Sequence, residues 1–116
     1  MVNLYGIPNC DTMKKARAWL ADHGIGYVFH DYKKEGIDEG VLRAWAADVG
    51  WQTLLNTRGM MWRKVPQEIK DTIDETSAIA LMREIPSIIK RPVLDKDGRR
   101  HVGFKPEQYA EIFASR

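Results

Sequence analysis

Residues 4–13 have the sequence LYGIPNCDTM and contain the junction that decides the fold, a strand-to-helix transition at Cys10. The apolar residues 2–5 predict a short strand, and the glycine and proline of residues 6–8 predict a turn. A helical pattern begins at or just after the cysteine. At a helix N-terminus, unpaired backbone N–H groups and the helix dipole favour an anion, so a thiol there loses its proton more easily. This position predicts a reactive thiolate rather than a packing cysteine.

The residues that follow the junction predict a βαβ unit. A helix is expected over residues 11–23, because Met13, Ala16 and Leu20 share one face at helical spacing. Two glycines then end the helix, and residues 27–31 predict a second strand. Strands joined by a crossover helix are parallel, so the first two strands should be parallel neighbours.

The middle of the chain predicts helices without strands. Asp38 is the expected N-cap of one helix, and Thr76 is the expected N-cap of another over residues 76–85. Pro66 suits the first position of a helix. Before it, residues 51–55 resemble a helical turn, residues 56–59 resemble a loop, and residues 60–63 show no clear period.

The last third predicts a β-hairpin and a final helix. Short apolar runs at residues 92–94 and 101–104 flank the turn sequence KDGR at residues 96–99. Pro106 then opens a helix. The order β-α-β, helical insert, β-β-α predicts the α/β class, with a four-stranded mixed sheet and an inserted helical subdomain.

Length and composition limit the function classes. The 116 residues suffice for one domain, and a net charge of +2 from 18 basic and 16 acidic residues argues against nucleic-acid binding by bulk electrostatics. We expect no membrane span, because no apolar run approaches about 20 residues. We expect no secretory signal, because the N-terminus has no basic region followed by an apolar stretch. One cysteine excludes an internal disulfide, which makes the cytoplasm the expected location. The three histidines lack metal-ligand spacing, so no zinc site is predicted.

Three candidate site positions stand out from the residues alone. Cys10 has Met13 three positions later, so the chain provides no resolving thiol. Pro92, after Arg91, either begins a strand or forms a cis turn that holds the arginine in a fixed place. Arg58 lies in a predicted loop, where functional groups concentrate.

Four segments together resemble the ArsC/Spx family, and within it the YffB branch most closely. They are LYGIPNCDTMKKAR at residues 4–17, LLNTRG at 54–59, IIKRPVL at 88–94 and GFKPE at 103–107. The resemblance covers essentially the full length and implies one domain over residues 1–116. It implies a thioredoxin-like fold, with its core at about residues 1–33 and 86–116 and a helical insert at about 34–85.

The resemblance also implies roles for individual residues. Cys10 is then the nucleophile, and Arg91-Pro92 matches the cis-proline turn of the family. In thioredoxin-like proteins this turn packs against the reactive sulfur and pairs with the extended backbone of a thiol substrate such as glutathione.

Departures from the family pattern favour a thiol reductase over an arsenate reductase. Met13 stands where arsenate reductases of the family have a serine and Spx regulators have a second cysteine. Of the three arginines that surround the cysteine in the arsenate reductases, Arg91 matches one. Asn56 occupies the second position, with Arg58 two residues later as a substitute, and Lys105 occupies the third. Lysine does not replace arginine in holding a tetrahedral oxyanion.

The resulting hypothesis is a monothiol, glutathione-dependent thiol reductase that acts through Cys10. Glutathione is the expected co-substrate, with no metal and no nucleotide, and the second substrate is a small thiol, mixed disulfide or oxyanion. The predicted catalytic residues are Cys10 and Arg91, and the predicted substrate-binding residues are Asn9, Thr12, Arg58, Arg91 and Pro92. Two alternatives stay open: an arsenate reductase-type oxidoreductase, and an Spx-like transcriptional regulator that binds RNA polymerase.

Overall fold

The computed structural model describes residues 1–114, in which the chain forms two compact units. The first, which we call the sheet unit, comprises residues 1–31 and 91–114 of the described part. Residues 115 and 116 of the predicted domain lie outside the described residues. The second, the helical unit, comprises residues 32–90 and contains the whole predicted insert.

The sheet unit contains the predicted four-stranded mixed sheet. Its strands are β1 (Val2–Gly6), β2 (Val28–Asp31), β3 (Val93–Lys96) and β4 (Arg99–Val102), in the order β2-β1-β3-β4. As expected for a βαβ unit, β1 and β2 are parallel and are joined by helix α1 (Asp11–Asp22). The pairs β1–β3 and β3–β4 are antiparallel, and helix α8 (Pro106–Ala114) follows the last strand.

The core of the sheet unit forms where α1 and α8 pack against the two central strands. Met13, Ala16 and Leu20, the predicted inward face of α1, have no exposed surface. The remaining buried members of this cluster are Leu4, Leu94, Tyr109 and Phe113. Full burial of one large aliphatic side chain contributes about 1.5–3 kcal/mol, so the helical spacing that identified α1 also anchors it to the sheet.

The hairpin between β3 and β4 turns at Asp97 and Gly98. Both residues have positive φ, 54° and 85°, as a two-residue turn that matches the twist of its strands requires. Asp95 closes the turn by accepting a hydrogen bond from the backbone N–H of Gly98 at 3.1 Å. Because the turn is so short, both strands extend further toward it than predicted, and Lys96 pairs directly with Arg99.

The helical unit consists of six α-helices and a 3-10 turn at Pro86–Ile88. The helices are α2 (Tyr32–Glu35), α3 (Glu39–Val49), α4 (Trp51–Leu54), α5 (Met60–Arg63), α6 (Gln67–Asp71) and α7 (Glu75–Glu84). Asp38 caps α3 as predicted, accepting a hydrogen bond from the N–H of Gly40 at 2.9 Å. Within residues 1–114, no helix has both the length and the apolarity needed to cross a membrane.

Two of the predicted helix starts are wrong. The N-cap of α7 is Asp74, not Thr76: its carboxylate accepts from the N–H of Ser77 at 2.9 Å, and the Ser77 hydroxyl accepts from the N–H of Asp74 at 3.0 Å. This reciprocal pair satisfies two backbone donors, which a cap at Thr76 would leave open. Pro66 is the N-cap of α6 rather than its first helical residue.

Candidate functional site

Sheet topology brings two distant parts of the sequence together. Strands β1 and β3 are antiparallel, with Tyr5 opposite Val93. The end of β1 that leads into the Cys10 turn therefore meets the beginning of β3, which directly follows Arg91 and Pro92. This register places Cys10 and Arg91 in the same unit and at the same end of the two strands.

The Arg91-Pro92 peptide bond is cis, which confirms the cis turn that the resemblance implies. Pro92 is buried, and its carbonyl accepts a hydrogen bond from the N–H of Gly103 at 2.9 Å. Gly103, with a φ of 82°, lies just beyond β4, so the end of the hairpin holds the turn from the far side. Arg91 is half-buried next to this fixed proline.

Cys10 is the N-cap residue of α1. Its backbone is extended, with φ −117° and ψ 133°, and its carbonyl accepts the first helical hydrogen bond from the N–H of Lys14 at 3.0 Å. The side chain packs partly against the core and stays partly exposed. The Cys10 side chain makes no capping hydrogen bond of good geometry. The backbone N–H groups of Thr12 and Met13 nevertheless lie close enough to the sulfur to favour its anion.

Several influences compete to set the pKa of the Cys10 thiol. Partial burial is the largest single one and raises the pKa, because it removes water from the thiolate. The backbone N–H of Met13, a hydrogen bond and the charge from Arg91, and the N–H of Thr12 all lower it. Together these groups outweigh burial, so the pKa of Cys10 lies below its ordinary value. A larger fraction of the sulfur is then thiolate, the nucleophilic form.

The other predicted binding residues have different surroundings. Asn9 is exposed in the turn before α1, and Thr12 is half-buried and contributes its backbone N–H. The role of the Thr12 hydroxyl stays a prediction. Arg58 belongs to the helical unit, where it is exposed in a turn closed by a hydrogen bond from its N–H to the Asn56 side-chain oxygen at 3.2 Å. Substrate binding by Arg58 also stays a prediction.

Gly6 has a structural role that the sequence does not reveal. The sequence pattern predicts only a turn at Gly6. In the structure Gly6 is the last residue of β1 and is buried. A Cβ atom built on Gly6 would overlap Sδ of Met13 and lie 2.7 Å from its Cε. No local pattern predicts this contact, because it joins a strand to the helix that follows.

Within residues 1–114, no group of three or more histidine, cysteine, aspartate or glutamate side chains is arranged to hold a metal ion.

Comparison with known proteins identifies the family. The model of the ArsC family matches residues 5–112. The chain belongs to the ArsC family. It is 55% identical to a YffB protein of known structure, with a TM-score of 0.92 over 96% of this chain and 97% of that one. It is 54% identical to an arsenate reductase (ArsC) related protein from Brucella melitensis, with a TM-score of 0.79 over 97% of this chain and 93% of that one.

A second group of ArsC-family relatives consists of transcriptional regulators. The chain is 30% identical to the global transcriptional regulator Spx of Bacillus subtilis over 112 residues, which cover 93% of this chain and 83% of the regulator. The close match to the YffB structure confirms the thioredoxin-like fold predicted from the resemblance. This ArsC-family chain therefore has both arsenate reductase-related and Spx-type relatives.

Proposed function

We propose that this ArsC-family protein is a monothiol thiol–disulfide oxidoreductase that uses Cys10 as its nucleophile and glutathione as its co-substrate. The observation that carries the proposal is the position of Cys10, a partly exposed N-cap residue of α1 at the end of the sheet where the cis Arg91-Pro92 turn lies. Arg91 and the first turn of α1 lower the pKa of its thiol against the effect of burial, which supports the proposal. A partly exposed thiolate with a nearby guanidinium suits attack on a disulfide.

The reaction has two exchange steps. In the first, the Cys10 thiolate attacks the glutathione sulfur of a mixed disulfide, a Cys10–glutathione disulfide forms, and the substrate leaves as a thiolate. In the second, a glutathione thiolate attacks this disulfide and leaves as oxidised glutathione, which restores the Cys10 thiolate. The net reaction reduces the mixed disulfide and oxidises one further glutathione.

External glutathione is needed because Cys10 is the only cysteine in the sequence. The position three residues later holds Met13, whose side chain has no exposed surface and carries no thiol. Arg91 stabilises the Cys10 thiolate both as the attacking group of the first step and as the leaving group of the second. The proposed location is the cytoplasm, where a reduced glutathione pool drives the second step.

The decisive experiment measures oxidised glutathione formed from glutathione and a small glutathione mixed disulfide. The wild-type protein should turn over, and Cys10→Ser should not, because a hydroxyl cannot form the intermediate disulfide. Ala18→Ser adds the same hydroxyl at an exposed position of α1 and should keep full activity. Turnover by a folded Cys10→Ser protein would disprove the mechanism.

A second candidate function, arsenate reduction, is favoured by the 54% identity to the arsenate reductase-related protein of Brucella melitensis. Cys10 would form an ester with arsenate, and two glutathione molecules would supply the two electrons that reduce arsenate to arsenite. The same assay with arsenate in place of the mixed disulfide separates the two functions. Arsenite production at a comparable rate would favour this second function.

The Spx relatives suggest a third function, transcriptional regulation through RNA polymerase. Co-purification with the polymerase, together with a Cys10→Ser variant that keeps its cellular effect, would favour regulation over catalysis.

A further inference from the structure

The contact between Gly6 and Met13 joins the end of β1 to the first turn of α1. Gly6 is buried and pairs with Asp31 of β2, so its backbone is held in the sheet. The Met13 thioether occupies the space where any other residue at position 6 would place its Cβ. Met13 has no exposed surface and belongs to the core cluster that includes Leu4 and Tyr109.

The backbone N–H of Met13 also stabilises the Cys10 thiolate. Among the influences that lower the pKa of Cys10, its N–H is the largest. One residue therefore has its side chain fixed against Gly6 and its N–H beside the Cys10 sulfur.

We propose that Gly6 and Met13 form a positioning pair, in which the thioether seated over the glycine fixes the first turn of α1 and so keeps the Met13 N–H beside Cys10. Neither residue touches substrate, and both act through the sulfur. The importance of the pair for catalysis rests on the proposed function, but its effect on the Cys10 thiol does not involve glutathione.

The physical reason is that the contact is too close for an added Cβ, so the Met13 thioether must shift when position 6 gains a methyl group. A methionine side chain is flexible, but this one is enclosed by a core in which there is little room for a new rotamer. The glycine backbone is held by its pairing in the sheet. Because Met13 has no exposed surface, we expect this shift to be transmitted to the first turn of α1 and to move the N–H away from the sulfur.

The first test is Gly6→Ala, measured as the rate of Cys10 alkylation against pH. We expect the midpoint to move to higher pH and the rate at a fixed pH below it to fall several-fold. Gly26→Ala is the matched control, because nothing lies within 4 Å of an added Cβ there and its φ is not positive. It should reproduce the wild-type profile.

The second test removes the other half of the contact. Met13→Ala should also raise the midpoint, because the first turn loses its anchor. The double variant Gly6→Ala with Met13→Ala should lie closer to wild type than Gly6→Ala does, since the methyl group then enters vacated space. Leu20→Ala is the stability control: it also removes a fully buried side chain of α1, two turns further on. It should lower Tm without moving the midpoint.

The outcomes separate the pair from a purely structural role. If Met13→Ala and Leu20→Ala lower Tm alike and both keep the wild-type midpoint, Met13 is only a core residue and the inference is wrong. The same holds if Gly6→Ala and Gly26→Ala have identical profiles. If Gly6→Ala does not fold, the comparison of the alkylation midpoints of Met13→Ala and Leu20→Ala still tests the inference. Because alkylation requires no glutathione, failure of the proposed function would leave these results unchanged.

Discussion

Replacing Arg91 by methionine should make the Cys10 thiol a weaker acid. The guanidinium favours the thiolate both through a hydrogen bond and through its charge. Methionine has a side chain of similar length but provides neither interaction. The pKa of Cys10 should therefore rise in Arg91→Met, while the N–H groups of Met13 and Thr12 continue to lower it.

The size of the effect follows from the strength of one charge-assisted contact. A hydrogen bond to a charged group contributes about 1.5–3 kcal/mol. Because Cys10 is partly exposed, solvent screening reduces this to about 1.4 kcal/mol, which is a tenfold loss of thiolate at low pH. The remaining thiolate is more nucleophilic, by about threefold for a Brønsted slope of 0.4–0.5, so the net fall in alkylation rate is only about three- to fourfold.

The assay compares full pH profiles of alkylation. Arg91→Met should be slower than wild type at low pH and faster at high pH, where both proteins are thiolate, so the two profiles should cross. Arg99→Met removes the same charge from an exposed position of β4 and should follow wild type. Arg91→Lys keeps the positive charge but loses the planar guanidinium, so its pH profile should lie between those of wild type and Arg91→Met. Superimposable profiles for Arg91→Met and Arg99→Met would refute the role of Arg91.

Three further predictions concern stability. Asp74→Ala should lower Tm at neutral pH, and the difference should shrink in acid. The hydrogen bonds from Ser77 lower the pKa of the Asp74 carboxyl, so its stabilisation is present above the unfolded pKa of about 3.9 and is lost as pH falls through the folded pKa. Leu94→Ala should cost about 2–5 kcal/mol in urea unfolding because the side chain is fully buried, whereas half-exposed Val28→Ala should cost far less. Gly98→Ala should cost about 1–2 kcal/mol because its φ is 85°, and unfolding coincident with wild type would contradict this turn geometry.

Features that depend on a few neighbouring residues could be predicted from the sequence. The Asp97-Gly98 turn follows from its dipeptide, and Cys10 at the start of α1 follows from a turn next to a helical period. The cis bond before Pro92 came through the family resemblance, since the proline alone also fits a strand start.

Features that depend on competition or on packing could not be predicted in the same way. Asp74 and Thr76 both suit an N-cap, and the choice depends on Ser77 returning a hydrogen bond to Asp74. Helix α5 is a single turn, too short to show a period. The contact of Gly6 with Met13 depends on how closely a helix approaches a strand, which neither residue signals alone.

The most direct test of the central claim is the mass of the protein after brief exposure to a glutathione mixed disulfide. The proposed mechanism predicts one glutathione attached to the peptide that carries Cys10, and its release as oxidised glutathione when excess glutathione is added. A protein that turns over substrate while Cys10 stays unmodified at every time point would contradict it.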